Sequence, residues 1–561
     1  MRHGAANPPA RAAKTPYFAQ DDHVILHPAE RGILPHRTMA TLVEELDLAW
    51  RRAKADAGER GFVSHPHLVD WIEHDRAAWI QHLAHKLGAG YTPQSSLACF
   101  APKPGWMLRP GAVLAPEDEV VYNLLVGRVM PMTWDALKWS QGDPDVSYQL
   151  RPQSPAIVRW VRRGTGVWRE WREKSLRMLV AHVSHVVVAD IAGFYENIDI
   201  ARLLSDLRGI GAQQGDLDLL AKCLRRWAGQ RGKGIPQGYT SSDILAKVYI
   251  DPVDKALRND GISHLRYVDD LRVFCRSKRD ARRAIRRLTE LISNRGLNLQ
   301  SAKTEIKTKP EAEADFKGEA QVLEDLTQEL KEQFDVDVAS PYESTMAVFK
   351  ALRRRDSPPP EVLERTFREH YSAASDQQFD KSLFHYLLVR LGAAGSRIAV
   401  PYCVEAVQQR PEETDSILKY FTDVQPTDEE RDAIVTYMES ADAIYDYQLY
   451  QLVRWFSDGG IASDRVLRLT RTWAYDHNRE PWLRTYCLNY LGRHGEPVDL
   501  ERIEGHYGSL GTDMERATCV AALERLELGR RNAFYARIEG DGILVRHAIG
   551  VVKRDSGAGA S

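Results

Sequence analysis

Long apolar runs are missing from this sequence of 561 residues. Nowhere do about 18 apolar side chains follow one another, so no segment is expected to cross a bilayer as a helix. The opening stretch, MRHGAANPPARAAKTP, lacks the hydrophobic core of a secretory signal and is expected to be a mobile polar arm on a cytoplasmic protein. Cysteine is scarce and scattered, at Cys99, Cys223, Cys275, Cys403, Cys487 and Cys519. With no CxxC pair, neither a zinc knuckle nor a disulfide framework is indicated, and reduced core residues are expected. The composition does not suggest disorder, because 43% of the residues are hydrophobic and only 27% charged.

The net charge of -2 is small but unevenly spread. Residues 151–310 hold 31 lysines and arginines against 17 aspartates and glutamates, a surplus of 14 positive charges that leaves the rest of the chain at -16. A basic block between acidic flanks suggests a polyanion-binding region; solvated helix faces such as RDARRAIRRLTE are the plainer reading.

From about Thr38 to Leu87 apolar residues recur at helical spacing, as in LVDWIEHDRAAWIQHLAHKL. His74, His82 and His85 fall here without carboxylates or cysteines to complete a ligand set, and surface histidines are expected. From about Gly105 to Lys309 strands and helices alternate. HVVVADI and HLRYVDDLRVFC read as strands, and Ala201–Trp227 and Asp280–Arg295 as helices. Beyond Lys309 come an acidic helical stretch, EAQVLEDLTQELKEQF, and a break at DSPPP that opens another helix. Onward to about Val552 only helices are indicated, several ending at glycine, with two LGxxG endings at Leu391 and Leu491. This points to a degenerate repeat of helical hairpins of the HEAT kind, with an ordinary helical bundle as the alternative. The expected division is a flexible arm and helical N-terminal region at 1–104, a mixed domain at 105–310, an α-helical repeat domain at 311–552 and a flexible tail at 553–561.

The chemistry centres on YVDD, where Asp269 and Asp270 stand side by side between apolar runs. Two adjacent carboxylates in a half-buried hairpin repel and raise each other's pKa unless a cation neutralises them. Hard oxygen ligands with room for water and phosphate suit magnesium, and Asp190, at the end of HVVVADI, is placed to supply a third carboxylate. Between these motifs lies RGKGIPQGYTSSDILAKVYIDPVD, a glycine-rich loop running into a helix, with donors in Gln237 and Ser242 and approachable backbone at Gly234 and Gly238. After YVDD, GLNLQSAKT puts Lys303 in a loop within reach of a triphosphate.

The order of these motifs resembles the palm of a reverse transcriptase over about residues 100–310. The resemblance implies an α+β, right-hand polymerase fold, with fingers and a ferredoxin-like palm sheet, flanked here by a helical N-terminal region and an all-α C-terminal domain. It implies that Asp190, Asp269 and Asp270 are catalytic. With the Ile191 backbone they would bind two Mg2+ ions, for which Mn2+ can stand in, and serve two-metal phosphoryl transfer. Gln237, Gly238 and Lys303 would bind the nucleotide, with Arg109, in MLRPGAVLAPEDE, as a further triphosphate contact. Tyr195 matches the aromatic gate whose ring collides with a ribose 2'-hydroxyl, so the substrate implied is dNTP. Tyr239 departs from the pattern, since many family members have proline after PQG.

No RNase H or HNH constellation follows residue 310. A palm followed by a long helical domain resembles bacterial phage-defence reverse transcriptases of the abortive-infection group. That resemblance implies DNA synthesis needing no added template, priming from a tyrosine left unidentified among 22, and a homo-oligomer. The expected partners are dNTPs, a DNA product and an RNA template where one is used. A retron-like or mobile-element enzyme copying a defined RNA and a non-catalytic RNA-binding scaffold are the alternatives.

Overall fold

The computed structural model describes residues 38–57, 62, 63, 65, 67–151, 157–162, 165–317, 360–371 and 379–558. The expected arm at 1–37, acidic helix at 319–334 and break at 356–359 lie outside the described residues.

The N-terminal region comprises helices α1 (Met39–Ala57), α2 (Leu68–His74) and α3 (Arg76–Gly88). Asp75 caps α3 by accepting the Ala78 N–H at 3.1 Å, and Trp79, Ile80, Leu83 and Leu87 form its buried stripe. A two-stranded hairpin follows, β1 (Leu97–Lys103) and β2 (Met107–Val113), turning at Pro104–Trp106. This hairpin straddles residue 104, so a boundary drawn there cuts through a paired unit. Arg109 lies within β2, opposite Ala101, and the proline-glycine pair after it is strand.

Next come α4 (Pro116–Leu137), the short strands β3 (Gln149–Leu150) and β4 (Val161–Arg162), and α5 (Thr165–Arg177). The central strand β5 (His185–Ala192) leads into α6 (Phe194–Asn197), α7 (Ile200–Gly209), α8 (Gln214–Ala228) and α9 (Thr240–Asn259). The single helix expected over Ala201–Trp227 is two, because Gly211 takes a φ of +101° that breaks the helical path. Then β6 (His264–Tyr267) and β7 (Asp270–Cys275) form the expected hairpin, followed by α10 (Lys278–Asn294), β8 (Asn298–Leu299) and β9 (Glu305–Thr308).

The sheet is small and antiparallel: β6 pairs β7, β7 pairs β5, and the far edge of β5 pairs β9 and β8. Alternation places Val188 and Asp190 on one face of β5 and Val187, Ala189 and Ile191 on the other, where all three are buried. Helix α10 packs on β5 and β7, burying Ala281, Ala284, Leu288 and Ile292 and leaving its arginines outside. Part of the basic surplus is therefore a solvated helix face, with Arg286 on Glu290 and Arg287 on Asp260.

From Pro360 to Ala558 the described residues form helices in two rows. In one row, Lys381–Ala393, Thr414–Val424, Asp446–Asp458, Pro481–His494, Asp513–Ala522 and Ile543–Ala558 pack each on the next. Val400–Gln409, Asp428–Glu439 and Asp464–Trp473 follow one another in the second. The last helix runs to Ala558, beyond the tail expected from residue 553, and packs on α2. The two LGxxG endings differ. Gly395 closes its helix at φ +68°, whereas Gly492 sits where any Cβ would strike the Ala522 backbone, so it serves close helix approach.

The C-terminal helices also reach back to the fingers hairpin. Trp482 donates its indole N–H to the Ala98 carbonyl at 3.0 Å, and helix Asp446–Asp458 packs on β1. The described residues are thus mainly helical, with one five-stranded sheet and two two-stranded ones. No helix among the described residues is long and apolar enough to cross a membrane.

Candidate active site

Register brings the carboxylates together. Asp190 and Asp270 are direct partners across β5 and β7, and Asp269 occupies the two-residue turn between β6 and β7. Val268, the first turn residue, has a φ of +56°, a conformation that costs a β-branched residue about 1–3 kcal/mol. The Ile191 N–H donates to the Asp269 carbonyl at 3.1 Å, holding the turn against β5. Burial, with the charges of Asp270 and Asp190, pushes the Asp269 carboxyl up to about 7. Lys303, in a 3-10 turn over Ser301–Lys303, puts Nζ 3.4 Å from Asp190 Oδ1 and is largely exposed.

The donor set is what a hard divalent cation takes: oxygen only, crowded with negative charge, and beside exposed space. In this conformation, no three His, Cys, Asp or Glu side chains among the described residues stand in a metal-holding cluster. Asp190 instead faces Lys303, so holding a cation here requires the carboxylates to turn toward one another. The N-terminal histidines go elsewhere: His82 lies 3.8 Å from Glu117, and His74 packs against the His547 ring.

Tyr195, on α6, is buried, and its hydroxyl donates to Asp243 Oδ1 at 2.6 Å. Its backbone carbonyl accepts the Ile235 N–H at 3.0 Å, tying the gate position to the GIPQG loop. Within that loop Gly238 has a φ of +99°, and a Cβ there would run into the Phe62 ring at 2.5 Å. Gln237 is half-buried and lines a cleft with Glu196, Lys233 and, from the hairpin, Pro110 and Gly111. Ser242 does not face this cleft. It is fully buried, donating to the Pro236 carbonyl at 2.5 Å and lying 2.8 Å from the Tyr122 hydroxyl.

Tyr239, the departure from the family pattern, has a defined job. Its buried ring sends the hydroxyl to the hairpin, accepting the Leu114 N–H at 2.9 Å and donating to the Ala112 carbonyl at 3.2 Å. A proline could make neither bond. Directly after it, Asp56 accepts the Thr240 N–H at 3.1 Å and the Thr240 hydroxyl at 2.5 Å, so α1 caps the start of α9.

The sequence reading missed Lys103, at the end of β1. Its ammonium is shifted down by burial and by the neighbouring Arg109 and Lys303, while Asp269 and Glu196 act in the opposite sense. Lys103, Arg109 and Lys303 thus act on one another electrostatically, with Asp269 also acting on Lys103. The available signal was a lysine next to a proline-glycine turn in an alternating stretch.

Residues 103–334 match the family described as reverse transcriptase (RNA-dependent DNA polymerase). No curated protein matches the chain. Among solved structures, the chain is 14% identical to an apo telomerase from Candida tropicalis truncated from the C-terminal domain, covering 38% of this chain and 50% of that one at a TM-score of 0.29. The apo telomerase from the same organism is 10% identical over 91% of this chain and 74% of its own, at a TM-score of 0.30. A Candida albicans telomerase in complex with a TWJ fragment of telomeric RNA is 10% identical over 72% and 68%, at 0.29. The segment that matches the family contains the three aspartates, Lys103, Arg109, Tyr195, the GIPQG loop and Lys303, and the chain therefore carries a reverse-transcriptase domain, that of an RNA-directed DNA polymerase and so of a nucleotidyltransferase.

Proposed function

We propose that the chain makes DNA from dNTPs at Asp190, Asp269 and Asp270, in the service of anti-phage defence. The observation that carries the polymerase reading is the Asp190–Asp270 register pair with Asp269 in the adjoining turn and a cationic group opposite. Lys103 and Arg109 would neutralise the triphosphate, and Lys303 would donate a proton to the departing pyrophosphate. The Tyr195 ring would exclude a 2'-hydroxyl while Gln237 and Gly238 line the base and sugar. The three carboxylates and the Ile191 carbonyl would hold two Mg2+ ions, which when bound supply Lewis acidity at the attacking and leaving oxygens.

The defence reading rests on domain order. The two rows of helices support a HEAT-like repeat domain directly after the palm, the arrangement the abortive-infection resemblance implies. Protein priming and homo-oligomer assembly belong to the same proposal. For priming, Tyr148 and Tyr445 are described tyrosines that are partly exposed, and Tyr148 has its ring 6.3 Å from Tyr267 beside the aspartates. The six cysteines, each unpaired and buried, fit the reducing cytoplasm to which we assign the protein.

The test is incubation of purified protein with Mg2+ and labelled dNTPs, without template or primer, followed by denaturing gels with and without DNase and protease. Label that stays on the protein until protease treatment is the expected result. Synthesis only on an added RNA template and primer would replace the defence reading with a conventional reverse transcriptase. No incorporation under either condition would overturn the polymerase reading.

A further inference from the structure

Beneath the catalytic hairpin lies a fully buried charged network. Arg266, on β6, donates from Nε and Nη2 to the Asp254 carboxylate at 2.7–3.1 Å, and Nη2 also lies 3.0 Å from Asp145 Oδ2. Lys247 donates to Asp145 at 2.5 Å and to the Ser147 carbonyl at 2.6 Å. His264 Nε2 lies 3.2 Å from Asp254. Two carboxylates thus meet two basic side chains, and all four residues are at most 3% exposed. Such a balanced cluster needs no ligand, and stability alone is a weak reason to keep it.

One donor points outside the cluster. Arg266 Nη1 donates to the carbonyl of Val268 at 3.0 Å, the residue held at positive φ immediately before Asp269. On the other side of the same turn, the Ile191 N–H holds the Asp269 carbonyl. The turn that presents the catalytic carboxylate is therefore gripped at two consecutive carbonyls. We propose that Arg266 is a positioning residue, anchored by Asp254 and Asp145, whose bond to the Val268 carbonyl keeps the strained turn in the geometry that aims Asp269. The proposal rests on the reading of the three aspartates as the polymerising centre.

The guanidinium suits this work because its five donors form a rigid fork, enough for two carboxylates and one carbonyl in fixed directions. Lysine offers three donors around one point on a flexible stem. The anchor also reaches the nucleotide side. Asp243, Lys247 and Asp254, spaced four and seven residues apart, fall on one face of α9. Asp243 holds the Tyr195 hydroxyl, so this one helix fixes both the gate tyrosine and, through Asp145 and Arg266, the hairpin.

The test uses the full chain with Arg266→Lys, Val268→Gly and the two combined. The first keeps a cation between the carboxylates but loses the fork; the second removes the strain that needs holding, since glycine accepts positive φ. Hydrogen exchange over residues 264–275 is read without substrate, alongside kcat and KM for dNTP on a primed template. For Arg266→Lys we expect faster exchange confined to the hairpin and a fall in kcat of about 10- to 100-fold, with KM for dNTP within about threefold of wild type. In the Val268→Gly background the same change should cost about threefold or less. Wild-type exchange and kcat in Arg266→Lys, or an equal loss in both backgrounds, would overturn the proposal. Should Arg266→Lys not fold, Asp145→Asn keeps the Asp254 anchor and reads the same hairpin: faster local exchange supports the proposal and unchanged exchange overturns it. If the wild-type protein incorporates no nucleotide, the reading of the centre fails, while the exchange arm still decides the role of Arg266.

Discussion

The Tyr195 hydroxyl donates to Asp243 at 2.6 Å, and this bond fixes the direction of the ring that we propose faces the nucleotide. On the proposed reading, exclusion of a ribose depends on the ring, and its exact placement depends on the hydroxyl. Tyr195→Ala should therefore erode the preference for dNTP over rNTP by about 100-fold, measured as the ratio of kcat/KM values. Tyr195→Phe keeps the ring and should retain most of that preference. Equal loss in both variants would assign discrimination to the hydroxyl.

Asp190 and Asp270 pair across β5 and β7 with Asp269 in the adjoining turn, so their charges crowd one another. Single Asp→Asn variants should lower nucleotide incorporation by about 1,000-fold or more while melting no earlier than wild type, since each removes a repulsion. Mg2+ at about 100 times its dissociation constant should stabilise the wild-type fold by about 2.7 kcal/mol. Calorimetry of Asp269→Asn should show most of that stabilisation gone.

Tyr239 joins the GIPQG loop to the fingers hairpin through two hydrogen bonds. Tyr239→Phe leaves the Leu114 N–H without that acceptor and should cost about 1–3 kcal/mol in chemical denaturation. The same change should raise KM for dNTP, because hairpin and loop then move independently. A variant with wild-type stability would mean another acceptor replaces the hydroxyl.

Glu413 supplies an acid-sensitive element in the C-terminal domain. Burial pushes its carboxyl upward, but Lys381 at 3.0 Å and His385 outweigh burial and hold it down at about 2, against an ordinary value of 4.5. Between those values the unfolded chain binds more protons than the folded one. The stabilisation is complete above about pH 4.5 and lost as pH falls toward 2, amounting to about 3 kcal/mol. Glu413→Gln should be less stable at neutral pH and should lack this acid limb in urea titrations from pH 5 to 3.

The central strand, the YVDD hairpin and the apolar stripes of α3 and α10 were legible because each is a local pattern repeating every two or three to four residues. The order of the carboxylates, PQG and lysine was legible through its resemblance to a reverse-transcriptase palm, and the helical character of the C-terminal half through its apolar spacing. Lys103 and Tyr239 were not, since their roles arise from the folding back of the hairpin over the loop. Ser242 misled because a hydroxyl near a glycine-rich loop looks the same in sequence whether it faces solvent or, as here, Pro236 and Tyr122. The split of α7 from α8 turned on one glycine among several.

The bond between Trp482 and Ala98 spans 384 positions of sequence. During synthesis β1 and β2 leave the ribosome long before the helices that cover them exist. The hairpin must wait with Cys99 and its neighbours uncovered until the second half of the chain has been made, at about 5–20 residues per second. The palm sheet, complete by Thr308, faces no such delay. Assembly of the side proposed to bind nucleotide is thereby postponed to the end of translation, and an incomplete chain would hold its aspartates in place with Lys103 and Arg109 of the hairpin not yet fixed.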